Sequence, residues 1–316
     1  MYHVETEETR RIRIQDMGLV LVEGGKVRMC ATCGNLNPLM DEGCEGSSWD
    51  VDGVIGKSLF DRYVADIDYE AATLTFYEPA ESTLGDGVLP IPLELRNGMP
   101  VLKGSIDTNG KGLVAADMLM DLGHSGTLAV DEMSVAGIGM PVKTLAGLGG
   151  MGVQGKVMAQ HGRVRQLRFG DMTFQDLPAT YHPEGKGLTG RPGGPVNIGS
   201  QVWRRFRIVL DYPGKRLLLV PNSHVAKPFP FNMAGLSLRH AKEGTYLVVH
   251  VIPGTPAHEQ GLQVGDRITS LDGKAARDMA YQQVVERFSE VGQNVEVVVQ
   301  RGGETLKRTL TLRKLI

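Results

Sequence analysis

The apolar positions of this chain fall in short runs punctuated by Gly, Asn-Gly and Asp-Gly, and long helical stripes are scarce. Short apolar runs bounded by turn residues predict strands. Three such runs cover residues 88–95, 100–106 and 113–120, and two more cover 164–169 and 172–177. Asn97-Gly98 separates the first two and Thr108-Asn109-Gly110 the next pair, so both junctions are expected to be hairpins. Asp107 then belongs to a hairpin turn. The glycine-rich stretch 145–152 is expected to be a flexible segment. It does not open a helix after a strand in the G-x-G-x-x-G manner, which excludes a dinucleotide site there. Residues 183–195, rich in Gly and Pro, predict a long loop.

One pattern occurs twice. Residues 54–79 and 197–221 share Ile-Gly (Ile55-Gly56, Ile198-Gly199), an Arg (Arg62, Arg205), Asp-Tyr (Asp68-Tyr69, Asp211-Tyr212) and a Leu (Leu74, Leu217), all at an offset of 143 residues. A constant offset over so many identities marks an internal duplication. Each copy predicts a strand ending in Ile-Gly and then a helical turn with one apolar face. That face is Leu59, Phe60 and Tyr63 in the first copy and Val202, Trp203 and Phe206 in the second. A strand, a tight turn and a return strand follow.

Residues 222–231 read as a linker with a Pro-Phe-Pro brace. Beyond it, Gly235-Leu236-Ser237-Leu238 is a glycine loop entering a strand, and residues 246–251 form the next. Asp278 is a candidate N-cap for a helix with the stripe Tyr281, Val284, Val285, Phe288. Arg301-Gly302-Gly303 is expected to turn between the last two strands.

Composition narrows the function classes. The chain has 316 residues, enough for two or three domains. A net charge of -2 gives no electrostatic footprint for nucleic acid or an anionic membrane surface. No run of about 18 apolar residues predicts a transmembrane helix. The charged start of the chain is not a signal peptide, so at face value it reads as cytoplasmic. Glycine, at 41 residues against 6% aromatics, favours short strands and tight turns over a helical bundle. Cys30, Cys33 and Cys44 lack a fourth ligand at zinc-finger spacing, so neither a metal nor a cofactor is expected. They read as free thiols, or as one disulfide if the protein is exported.

The C-terminal pattern Gly254-Thr-Pro-Ala, Gly261-Leu, Gly265-Asp-Arg-Ile and Asp272-Gly resembles a PDZ domain of the bacterial type. The resemblance implies that Gly235, Leu236, Ser237 and Leu238 receive a peptide C-terminal carboxylate, and that the peptide adds as a strand against a groove touching Leu238 and Val284 or Val285. The duplicated body resembles a two-lobed, retropepsin-like bacterial aspartyl protease. The carriers are the strand-ending Met118-Leu-Met-Asp-Leu-Gly-His-Ser-Gly and the two Ile-Gly units. The implied fold is mainly β: duplicated pepsin/retropepsin-like β lobes, the first incomplete, followed by a small PDZ barrel with a helix. The implied boundaries are 1–82, 83–222, a linker at 223–230, and 231–316.

Such enzymes need two close carboxylates that share a proton, one acting as base on a water and the other as acid toward the peptide. Here the second lobe offers Asp121, with Gly123 and Ser125 in its turn. Ser125 either donates to Asp121 or caps the following turn. His124 reads as a loop histidine. Two departures stand out. Leu122 replaces the family's Thr or Ser, and the first lobe lacks room for its own turn. Asp121 precedes Gly199 by 78 residues, whereas only 55 precede Gly56. Asp16-Met17-Gly18 resembles Gly170-Asp171-Met172 of the second lobe and reads as a strand turn. The natural start is therefore expected to lie further upstream, with a signal peptide that would make the protein exported or periplasmic, or else the chain is a short form. The expected partners are polypeptide substrates or peptide C-termini, and a second copy of the chain is one source of the second Asp. Two readings stay open: an aspartic endopeptidase, and a non-catalytic peptide binder on a protease scaffold.

Overall fold

A computed structural model describes residues 10–13, 57–79, 88–131, 137–152, 155–183, 194–241 and 244–316. Cys30, Cys33, Cys44, Asp16 and Ile55-Gly56 lie outside the described residues. Of these described residues, 10–13, 57–142 and 163–229 form one compact unit, and 143–162 with 230–316 form a second.

In the first unit the elements are β1 (Arg10–Arg13), α1 (Lys57–Phe60), β2 (Val64–Asp68), β3 (Thr73–Tyr77), β4 (Ile91–Pro92), β5 (Glu94–Arg96), β6 (Met99–Asp107), β7 (Val114–Met120) and β8 (Leu128–Asp131). The hairpin β9 (Thr144–Gly152) and β10 (Gly155–Phe169) follows in the chain, its residues up to Gly162 belonging to the second unit. Next come β11 (Met172–His182), β12 (Val196–Ile198), α2 (Ser200–Trp203), β13 (Phe206–Asp211) and β14 (Arg216–Pro221).

The duplication appears as a two-fold in the sheet β1-β3-β2-β13-β14-β4. At its centre β2 and β13 run antiparallel, with Ala65 opposite Leu210 and Ile67 opposite Ile208. Leu210 is the repeat-mate of Ile67, and Ile208 that of Ala65, so the register maps onto itself under the 143-residue offset. The turns match as well. Ala72 and Lys215, also repeat-mates, both adopt φ of 51°. Asp68 Oδ1 accepts from the Glu70 and Ala71 N–H groups, and Asp211 Oδ1 accepts from that of Gly214. A carboxylate closing its own turn is the usual reason Asp sits there. Burial raises the Tyr69 and Tyr212 hydroxyls above the ordinary phenol range.

The second sheet of this unit runs β5-β6-β7-β12-β8-β11-β10, and β6 also pairs with β10, closing the path on itself. Asn97 (φ 52°) and Gly98 (φ 79°) form the two-residue turn between β5 and β6, as their left-handed tolerance requires. The run 88–95 splits at buried Leu93: β4 joins β14, β5 joins β6, and the Leu93 N–H donates to the Lys215 carbonyl. Trp203, Phe169, Phe174, Phe206 and Phe229 stack through the core.

One expectation fails here. The glycine-rich stretch 145–152 is a strand, paired with β10 from Gly152–Gly155 back to Thr144–Gly162. Backbone pairing needs no side chains, so glycine content alone did not decide it.

The second unit holds β15 (Leu236–Ala241), β16 (Thr245–Val251), α3 (Pro256–Glu259), β17 (Arg267–Leu271), β18 (Lys274–Ala275), α4 (Tyr281–Arg287), β19 (Asn294–Arg301) and β20 (Glu304–Thr311). Its sheet order is β15-β16-β17-β19-β20, which leaves β15 at an edge. Buried Asp266 of the Gly-Asp-x-Ile element accepts from the Arg301 Nε and Nη2 at 2.6 and 2.7 Å and from the Gln263 N–H. That carboxylate is therefore structural. Asp278 does not cap α4. It sits in a 3-10 turn, Ala280 is the N-cap, and the Ala280 N–H donates to Gln283 Oε1.

Candidate active site

Asp121 follows the last residue of β7, where β7 runs parallel to β12 with Met120 opposite Ile198. Its N–H donates to the Ile198 carbonyl. One carboxylate oxygen, Oδ1, accepts from the Gly123 and His124 N–H groups at 2.9 and 3.0 Å. The other, Oδ2, accepts from Asn197 Nδ2 at 2.9 Å. The residue is half-buried, and its carboxylate is held by three donors.

The loop after Asp121 is clamped to the start of α2. Ser200 and Gln201 donate to the His124 and Gly126 carbonyls, and Gly199 donates to that of Thr127. Gly199 permits the approach: a Cβ there would lie 2.2 Å from the Gly126 oxygen and 2.7 Å from the His124 oxygen. Trp203 Nε1 donates to the Ile198 carbonyl and pins the helix start beneath. Leu122, where the resembled family has a hydroxyl, packs against the apolar core. Ser125 is half-buried, and its hydroxyl is not among the partners of Asp121.

The sequence missed Asn197. It is 3% exposed, its amide nitrogen serves Asp121, and its Oδ1 has no hydrogen-bond partner among the described residues. A signal existed: Asn197 interrupts the apolar strand Val196-Asn-Ile-Gly where the first copy has Val54-Ile55-Gly56.

His124 is more than a loop residue. Its ring lies against Gly126 and Gly199, and its Nε2 is shut from solvent without a partner. Burial lowers its pKa, Asp121 opposes that, and His182 reinforces it. Burial also lowers the pKa of His182, against the pull of Asp131. Unfolded chains protonate imidazoles near pH 6.5, while these two stay neutral to lower pH when folded. Their contribution to stability is then complete above that range and is lost as pH falls through it. The thermal midpoint of the first unit is expected to be lower at pH 5 than at pH 7.5. A midpoint that holds or rises on acidification would contradict this sign.

The glycine loop and strand that the sequence offers as a peptide site lie in the second unit. Gly235 adopts φ of 79°, and a Cβ there would strike Thr255 Oγ1 at 2.2 Å. The Gly235 carbonyl accepts from the Ile252 N–H, and the Ala234 carbonyl from that of Ala257. Leu236 is buried, Ser237 and Leu238 are half-buried, and Leu238 packs on the core of the unit. Val284 is 0% exposed and belongs to that core, so it cannot line an open groove. Val285 is half-buried.

Residues 103–201, which contain Asp121 and its clamp, match a family model described as aspartyl protease, and residues 233–312 match that of the PDZ domain. The chain thus carries an aspartyl-protease-type segment followed by a PDZ-type segment.

Among curated proteins, serine protease HTRA1 of Xenopus tropicalis is 32% identical over 89 residues, which is 28% of this chain and 17% of that protein. The chain thus spans about a sixth of that relative's length. Among solved structures, a retropepsin-like aspartic protease from Rickettsia conorii is 17% identical, covering 42% of this chain and 89% of that one, with a TM-score of 0.30. The photosystem II D1 C-terminal processing protease is 28% identical over 26% of this chain and 23% of its own, with a TM-score of 0.24.

Proposed function

We propose that the chain acts on polypeptides. Its PDZ domain takes a peptide C-terminus as an added strand on β15, and Asp121 is one carboxylate of an aspartic-endopeptidase site. In this reading the lobes divide at 82 and 222, and the PDZ domain begins at 231. The observation that carries it is the setting of Asp121: a half-buried residue whose carboxylate is fixed by two turn amides and Asn197, on a body whose central sheet has two-fold register. A two-fold frame calls for a second carboxylate facing the first, from the first lobe or from a second copy of the chain. The pair then shares one proton. The ionised member takes a proton from water as the water oxygen bonds to the peptide carbonyl carbon. As the C–N bond breaks, the other member's proton passes to the departing amine. Gly123 positions Asp121 through its N–H, and Ser125 lies in the same turn. On the PDZ side, Gly235, Leu236 and Ser237 form the carboxylate loop, and Leu238 and Val285 face the groove.

A second reading, a non-catalytic peptide binder, draws on Leu122. An apolar side chain packed in the core supplies none of the hydrogen bonds a hydroxyl would give between two such turns. Unfolded casein, incubated with the full chain from pH 3 to 7, separates the two. Cleavage that is inhibited by a pepstatin-like compound and abolished in Asp121→Asn supports the enzyme. No cleavage at any pH, by folded protein that still captures peptide C-termini, leaves the binder.

A further inference from the structure

Strands β9 and β10 form a hairpin, and residues 143–162 of it belong to the same compact unit as residues 230–316. Leu145 of β9 packs against the apolar core that contains Met233, Ala234 and Leu236. Gly147 sits so close to Ile252 that a Cβ would meet its Cδ1 at 2.9 Å and the His161 ring at 3.0 Å. His161 of β10 lies 5.9 Å, ring to ring, from Phe231, and it bonds the Leu148 carbonyl of its own hairpin at 3.2 Å through Nε2.

Two of these contacts bear on one loop. Ile252, which Gly147 approaches, donates its N–H to the Gly235 carbonyl, and Phe231, which His161 faces, lies four residues before Gly235. Through Ile252 and Phe231 the hairpin therefore supports the strip of backbone that the proposed function uses for the peptide carboxylate. A preformed loop binds more tightly than one ordered on binding, because the ordering cost is already met.

We propose that the β9–β10 hairpin is a working part of the PDZ peptide site. Leu145 and Gly147 are positioning residues for the carboxylate loop. This rests on the reading of β15 as the peptide edge, and its test separates the two.

Amide hydrogen exchange of the full chain is compared between the unaltered protein, Leu145→Ala and Gly147→Val, without peptide. The Ile252 and Ala257 amides, which bond the loop carbonyls, are expected to exchange faster in both variants, while those of β19 and β20 hold. That contrast excludes simple unfolding of the unit. Fluorescein-labelled peptides with a free C-terminal Val, Leu or Phe are then titrated. The variants are expected to bind about tenfold more weakly, as loss of a preformed loop would produce. In the unaltered chain, peptide is expected to slow exchange across residues 144–162. Unchanged Ile252 and Ala257 exchange in both variants would overturn the proposal. Altered exchange in a chain that binds none of the peptides would leave the hairpin's support of the loop standing and remove the peptide reading.

Discussion

Gly199→Ala is expected to dismantle the Asp121 loop. The new methyl would lie 2.2 Å from the Gly126 oxygen, 2.7 Å from the His124 oxygen and 2.4 Å from the His124 ring. Two of those three atoms are backbone, so no rotamer change relieves the clash. The Ser200 and Gln201 N–H groups donate to the same two oxygens, so pushing the loop away breaks both bonds. Overpacking of a close-packed site costs about 1–3 kcal/mol, and backbone clashes put this change near the top, about 3 kcal/mol. A domain of this size loses roughly 2–4 °C per kcal/mol, so the midpoint should fall by roughly 6–12 °C. Gly137→Ala is the control, since a Cβ there meets nothing within 4 Å. The Ser200 and Gln201 amides should lose protection first. If Gly199→Ala melts with the Gly137→Ala control, the clamp is not what holds Asp121.

Arg205 carries the second large effect. It is 4% exposed, and among the described residues it forms no ion pair with a carboxylate. Its guanidinium instead donates to backbone carbonyls. Nε reaches that of Gln201, Nη1 those of His224, Val225 and Lys227, and Nη2 that of Pro228. The ring of Phe229 lies 3.6 Å beneath it. Burial lowers its pKa to about 10, which still leaves it charged at neutral pH. Four of those carbonyls belong to residues 222–231, so Arg205, together with Asn222 and the buried ring of Phe229, bolts the stretch that reads as a linker to the first unit.

Arg205→Met keeps the bulk and removes every donor. Several carbonyls on the exposed side of the stretch can turn to water, so the expected cost is about 2–4 kcal/mol rather than the full penalty for each unmade bond. Arg205→Lys should recover little of it. An ammonium has three donors on a flexible stem and no planar fork to serve five oxygens or stack on Phe229. Urea midpoints of the three proteins test this. A Lys variant as stable as the unaltered chain would mean that charge alone matters, and the donor geometry would be irrelevant.

Local chemistry made much of the architecture legible. Asn97-Gly98 could only be a two-residue hairpin turn, because few other pairs accept two left-handed residues in succession. The 143-residue offset was readable because a duplicated unit repeats its turn and helix chemistry wherever it sits. The PDZ domain was readable for a local reason too, since Gly254, Gly261, Gly265 and Gly273 all adopt positive φ at its turns.

What the sequence alone determined, then, was local: turns, strand alternation, the repeat and the two families. Tertiary structure decided whatever depends on residues far apart in the chain. Asn197 reaches Asp121 across 76 positions, and only the parallel pairing of β7 with β12 brings them together. Arg205 was visible as a repeat of Arg62, but not as an anchor of the stretch 222–229. Val284 and Val285 share one apolar stripe, and only packing sends the first into the core and leaves the second half-exposed. The glycines of β9 gave no side-chain periodicity to read, and that segment became a strand because β10 lay alongside to pair with its backbone. Periodicity and turn propensity act over a few residues, while register, burial and hydrogen-bond partnership are set by whichever distant segment the fold brings alongside.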